Sequence, residues 1–206
     1  MARRAYSSPA RDAAAAAKRT QVVQVAERLL RESENAAAVS MEAVAAAAGV
    51  ARLTIYKQFG SRRGLLEAVF DQRAAQGGLS RIPEAMMIGD PRPALDRLVD
   101  IFCAFWASEP AVGRLQGVAA SDPEFAETIN ARNERRRQAI RVLVARSGAP
   151  ERTDAHRDAT DLIFTLTSYA AYASLKPNRS DAAVCSLIKS ACADALNHCT
   201  TDTGPR

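Results

Sequence analysis

Apolar residues recur every three to four positions along most of the chain, and no segment carries a convincing apolar–polar alternation of the kind that marks a strand. The first such stretch covers residues 12–34, where Val22, Val25, Ala26, Leu29 and Leu30 form one stripe. Asn35 can close it, because Asn tolerates the left-handed turn conformation. Ser40 is a good N-cap for a short helix over 41–48: Glu42 falls in its first turn, Val39 and Val44 can staple its entry, and Gly49 ends it. A third short helix over 51–57 ends at Gly60. Ser61 caps a fourth, with Leu65, Leu66, Val69 and Phe70 as its stripe and Gly77-Gly78 as its close.

Pro83, Gly89, Pro91 and Pro93 make residues 81–93 read as a linker. Longer helical patterns follow over 94–108, with Leu95, Leu98, Phe102 and Phe105 on one face, and over 110–120. Ser121-Asp122-Pro123-Glu124 is a helix start that leads to residue 147, with Pro at the first helical position. Gly148-Ala149-Pro150 breaks the pattern. Two more helices, over 153–175 and 180–199, are separated by Pro177. No internal repeat is present. The expected fold is all-α.

Composition supports this. Alanine is the commonest hydrophobic residue and aromatics make up 5% of the 206 residues, a mix that favours helix over sheet. Charge adds a location. Residues 1–80 carry 12 Lys and Arg against 7 Asp and Glu, whereas residues 81–206 carry 16 of each, so the whole net charge of +5 lies where a nucleic-acid surface would need it. No apolar run approaches the roughly 18 residues of a membrane span. The alanine run after Arg3-Arg4 is too short and weak for an export signal. A cytoplasmic location with four reduced cysteines is the expectation. The usage of 24 Arg against 4 Lys, with so much Ala, fits a GC-rich bacterial genome.

The informative stretch is 40–57. Two short helices joined by Gly49-Val50 fit a helix-turn-helix, whose second helix enters the major groove while the first crosses the backbone. The run from Ser40 to Leu66, SMEAVAAAAGVARLTIYKQFGSRRGLL, resembles the signature of TetR family transcriptional regulators. The resemblance rests on Ser40, Ala48-Gly49-Val50, Thr54-Ile55-Tyr56, Phe59, Gly60, Ser61 and Arg62 at matching spacing, and on the upstream stripe of Ala26, Leu29 and Leu30. It divides the chain into a basic tail (1–11), a DNA-binding domain (12–80) and a helical effector-binding and dimerisation domain (81–206).

That resemblance implies contacts position by position. Ser40 would touch phosphate at the start of the second helix, and Arg52, Leu53, Thr54, Lys57 and Gln58 would meet bases and backbone. Tyr56 would reach a phosphate, as would Arg62 in place of the family's usual Lys. Arg52 is the candidate for reading a guanine through O6 and N7. Val50, Ile55 and Phe59 read as core. Two positions depart from the pattern. Ala51 stands where Ser is common, giving the third helix a poor cap. Arg62, Arg63 and Gly64 open the fourth helix, where cations oppose the dipole and Gly is a weak helix former, so a phosphate docking there would relieve the conflict. Whether Arg3, Arg4 and Arg11 form a minor-groove arm stays open.

Beyond residue 80 the resemblance is weaker. It implies middle helices around a pocket and a homodimer through the last two helices. Phe102, Phe105, Trp106, Tyr169 and Tyr172 are the pocket candidates, for a small apolar or aromatic effector, with plain core packing as the alternative for each. Arg135-Arg136-Arg137 reads as a solvated face, with a role in anion recognition as the lesser alternative. Cys185, Cys192 and Cys199 recur every seven residues; packed against a partner subunit they would permit close approach or an intersubunit disulfide. Two histidines without ligand neighbours, and no phosphate loop, nucleophile elbow or paired-carboxylate motif, leave no enzyme chemistry, cofactor or metal to expect. The implied function is a ligand-responsive repressor released from palindromic operator DNA by its effector. The rival class is a helical small-molecule-binding or redox-sensing protein with little operator binding, against which the basic helix-turn-helix argues.

Overall fold

A computed structural model describes residues 9–33, 39–108, 110–148 and 153–201. Among these residues the secondary structure is helical throughout: α1 (Pro9–Glu32), α2 (Met41–Ala48), α3 (Arg52–Phe59), α4 (Arg62–Gln76), a 3-10 turn (Leu79–Arg81), α5 (Ile82–Met87), α6 (Pro91–Ala107), α7 (Pro110–Ser121), α8 (Pro123–Arg146), α9 (Asp154–Leu166), α10 (Tyr169–Leu175) and α11 (Asp181–Thr201). Arg3, Arg4, Asn35, Ala149 and Pro150 lie outside the described residues.

Three boundaries differ from the sequence pattern, each for a local reason. Pro9 begins α1, so Arg11 belongs to that helix and not to the tail. The segment over 81–93 is largely helical. Its prolines fall in first turns, where a missing N–H costs nothing: Pro83 at the start of α5, and Pro91 and Pro93 at the start of α6, which Asp90 caps by accepting from the Arg92 N–H at 3.0 Å. The long helix expected over 153–175 is two. Ser168 accepts from the Ala171 N–H and caps α10, and the Thr167 hydroxyl turns back to the Ile163 carbonyl, so local side-chain bonds end α9.

One core runs through the molecule, from Val22 of α1 to Cys199 of α11. Helix α1 packs on α2 and α4; α6 lies at the centre of the remaining helices, against α5, α8 and α11; α4 joins the two parts by packing on α8 and α7. The N-terminal head also carries a buried carboxylate. Glu27 of α1 accepts from Arg31 at 2.9 Å and pairs with Arg73 of α4 at 3.3 Å, while the Gln72 amide lies at 3.5 Å. A buried charge is tolerated when it is paired and hydrogen-bonded in this way.

Candidate nucleic-acid interface and interior cavity

The turn between α2 and α3 is built as the sequence demands. Ser40 caps α2 by accepting from the Ala43 N–H at 3.1 Å. Gly49 takes φ 64°, a left-handed conformation that costs a side-chain-bearing residue energy, and its N–H and that of Val50 close onto the carbonyls of Ala46 and Ala45. Ala51 makes no side-chain cap for α3. Ile55 and Phe59 are buried, and Arg19 of α1 holds α3 from behind, donating to the Gln58 carbonyl at 2.8 Å and lying over the Phe59 ring.

With that side of α3 fixed, the opposite face projects Arg52, Leu53, Tyr56 and Lys57, all exposed. Leu53 is 63% exposed. Arg52 is pre-positioned. It donates to the Tyr56 hydroxyl at 3.2 Å, lies over the Tyr56 ring and pairs with Glu42 of α2 at 2.6 Å. The Tyr56 hydrogen bond, then Glu42, push its guanidinium pKa up from its ordinary value, so the cation is secure. Thr54 is half-buried, and the Gln58 side-chain oxygen is buried without a hydrogen-bond partner.

Arg62 is placed differently from the sequence expectation. Its guanidinium turns inward, donating to the Val39 carbonyl at 3.0 Å and pairing with Asp122 at the start of α8 at 2.5 Å. Carboxylates thus relieve the cations at the start of α4: Asp122 serves Arg62, and Glu67 lies 3.6 Å from Arg63. Gly64 also has a local reason, since a Cβ there would meet the Phe59 carbonyl oxygen at 2.1 Å. Two further links join α4 to α8, Thr128 to Glu67 and Arg132 to Asp71, each at 2.6 Å.

The row ends at a cavity of about 400 Å³ between α4, α5, α6 and α8. Its walls include Phe70, Leu98, Phe102, Phe105, Trp106 and Ile129. Three of the five aromatic candidates therefore line it. Tyr169 packs edge-on against Trp106, and Tyr172 is hydrogen-bonded to Asp181; neither lines the cavity. Burial, then Asp181, push the Tyr172 pKa above the ordinary phenol value.

The arginine run contains the residue that sequence reasoning misplaced. Arg135 is exposed and Arg137 half-buried, but Arg136 is 7% exposed and lines the cavity. It donates to the Thr167 carbonyl at 2.7 Å and lies over the rings of Phe102 and Phe164. Desolvation, then Arg137, lower its pKa to about 10. The signal available in sequence was its spacing: Ile129, Arg136, Ile140 and Leu143 share one buried face of α8.

The cysteine stripe of α11 also faces inward. Cys192 and Cys199 are buried, Cys185 donates to Asp100 of α6 at 3.3 Å, and Cys103 of α6 is its neighbour. Burial raises the pKa of the Cys103, Cys185 and Cys192 thiols, Cys192 to about 12, which disfavours thiolate formation. Among the otherwise mostly polar outward residues of α9 and α11, Leu162 is 55% and Leu187 42% exposed. No group of His, Cys, Asp and Glu suited to a metal occurs among the described residues, and no described helix is long and apolar enough to cross a membrane.

Residues 22–69, which hold the whole turn and both short helices, match the family described as bacterial regulatory proteins, tetR family. Over these residues the chain is similar to the tetR family's N-terminal region. The HTH-type transcriptional regulator EthR of Mycolicibacterium smegmatis is 34% identical over 109 residues, 52% of this chain; the chain spans about half of that relative's length, 49%. Solved structures share the fold at 16% identity. A TetR-like transcriptional regulator from Rhodococcus sp. RHA1 superposes with a TM-score of 0.68 over 88% of this chain and 97% of its own. A regulator from Saccharomonospora viridis, solved in complex with choline, does so at 0.63 over 85% and 95%. The TetR fold thus extends well beyond the matched head.

Proposed function

We propose that this chain is a ligand-responsive transcriptional regulator that acts in the cytoplasm as a homodimer, represses by binding palindromic operator DNA, and is released by a small-molecule effector. The observation that carries the DNA-binding part is the outer face of α3. Exposed Arg52, Leu53, Tyr56 and Lys57 stand on a helix whose other face is locked by Ile55, Phe59 and Arg19. Arg52 reads a guanine and Leu53 meets a thymine methyl, two contacts suited to the major groove. Thr54 and Lys57 contact bases or backbone. Ser40 and Tyr56 approach phosphate, which positions without specifying. Gln58 supports the end of α3.

Two such heads on one dimer meet half-sites about one helical turn, roughly 34–36 Å, apart or further. The outward leucines Leu162 of α9 and Leu187 of α11 supply the apolar contact between subunits. The cavity beside Trp106 takes the effector, as the choline complex of the Saccharomonospora viridis regulator suggests for its fold. Ligand there shifts α4 through its polar links to α8 and changes the separation of the heads, which requires tighter ligand binding to the DNA-free form.

Footprinting on the DNA flanking the chain's own gene tests this reading. A palindromic footprint, lost or strongly weakened in Arg52→Ala and weakened in Tyr56→Phe, is expected. Unchanged binding by both variants would move the reading surface elsewhere.

A further inference from the structure

The cavity's chemistry says more about its ligand than its size does. Arg136 reaches it from α8 as a buried guanidinium that, among the described residues, faces no carboxylate. One of its nitrogens is used on the Thr167 carbonyl, and its faces lie over Phe102 and Phe164, but its Nε has no hydrogen-bond partner. An uncompensated buried charge is costly, and a guanidinium fork matches a carboxylate in two parallel hydrogen bonds. The other charged groups on the wall are Arg132, Arg135 and Asp71, and Asp71 is already paired with Arg132 at 2.6 Å. The cavity is therefore positive as well as apolar.

Building on the effector reading above, we infer that the ligand of this cavity is an organic acid: a carboxylate held by Arg136, with an apolar body against Phe102, Phe105, Trp106 and Ile129. A quaternary ammonium would meet a surplus of arginines, and a neutral molecule would leave Arg136 as it stands. The lone tryptophan of the chain, Trp106, lies in the cavity wall and reports occupancy by its fluorescence.

The full chain would be titrated with decanoate and 2-naphthoate, with the matching neutral amides, and with decyltrimethylammonium, following Trp106 emission and calorimetry. At least one carboxylate is expected to bind roughly tenfold to a hundredfold tighter than its amide, the range of a charge-assisted hydrogen-bonded pair. The ammonium is expected to bind weakest. Arg136→Met should erase the preference for carboxylate over amide, and Arg136→Lys should retain part of it. Arg136→Met should still fold, because the charge it removes has no carboxylate partner among the described residues and the methionine keeps an apolar stem against Phe102 and Phe164. If that variant fails to fold, the charge preference of the parent chain decides alone. Equal binding of acid and amide, tighter binding of the ammonium, or an Arg136→Met variant that keeps its preference would each overturn the organic-acid inference while leaving an effector cavity in place. Binding by none of the five would overturn both.

Discussion

Arg62 and Asp122 meet at 2.5 Å although they open different helices, α4 in the N-terminal head and α8 beside the interior cavity. Both do a second job at the same spot. Arg62 holds the Val39 carbonyl beside the Ser40 cap, and Asp122 caps α8 through the Phe125 N–H at 3.1 Å. The start of the reading unit and the start of the cavity's longest helix are thus fastened together by one half-buried pair.

Replacing Asp122 separates these jobs. Asp122→Asn keeps a capping acceptor and removes the charge, whereas Asp122→Ala removes both. The alanine variant should lose about 0.5–2 kcal/mol more than the asparagine variant, the usual range for an N-cap. Thermal and denaturant melts of the three proteins would check it; equal losses would mean that the cap carries nothing.

Glu42 holds Arg52 in the unbound chain, so DNA must displace it. Glu42→Gln should therefore bind operator more tightly, while Arg52→Ala should lose about 1–3 kcal/mol and tolerate change at the guanine it reads. Fluorescence anisotropy on parent and base-changed operators would measure both. The salt concentration must be fixed throughout, because phosphate contacts make every such affinity salt-dependent.

Gly64 is a steric requirement. Gly64→Ala would drive a Cβ to 2.1 Å from the Phe59 carbonyl oxygen, and backbone cannot yield as a flexible side chain can. A loss of about 1–3 kcal/mol is expected, against the gain that alanine normally gives inside a helix. A rise in melting temperature would contradict the packing of α3 on α4.

Leu162→Asp and Leu187→Asp should each convert a dimer to monomer in sedimentation or gel filtration, with helix content unchanged. A parent chain that is monomeric at assay concentration would refute the α9–α11 interface outright.

The buried thiols set a pH dependence. Cys192 binds its proton up to about pH 12 when folded, against an ordinary value of 9.0. Between those values the unfolded chain has released the proton and the folded chain has not, so stability falls as pH rises through that window. Cys103 and Cys185 act in the same direction. Native protein at neutral pH should resist thiol reagents at Cys103 and Cys192, and release them on unfolding; rapid modification of the native chain would contradict their burial.

The reading unit was legible in sequence because its signals are local: a capping Ser40, a Gly49 that must turn left-handed, and an apolar stripe at helical spacing. Prolines misled where they start helices: Asp90 caps the helix that Pro91 opens, but no side-chain cap marks the start at Pro83. The inward turn of Arg62 was not legible, and the burial of Arg136 was signalled only by its helical spacing with Ile129, Ile140 and Leu143. Both depend on partners about 30 to 60 residues away, Thr167 and Asp122, and a guanidinium reads as surface until its surroundings are known. The cysteine stripe had the right period, but period cannot say which neighbour a stripe faces.

Glu27 has a consequence for the DNA itself. Its carboxylate ties α1 to α4 through Arg73 and Gln72, a buried seam that resists rearrangement around a poorly placed site. In the proposed dimer, two such heads would work as a ruler. An operator with every contacted base intact but one base pair inserted between its halves, a change of about 3.4 Å and a tenth of a turn, should be refused almost as firmly as one with its guanines changed.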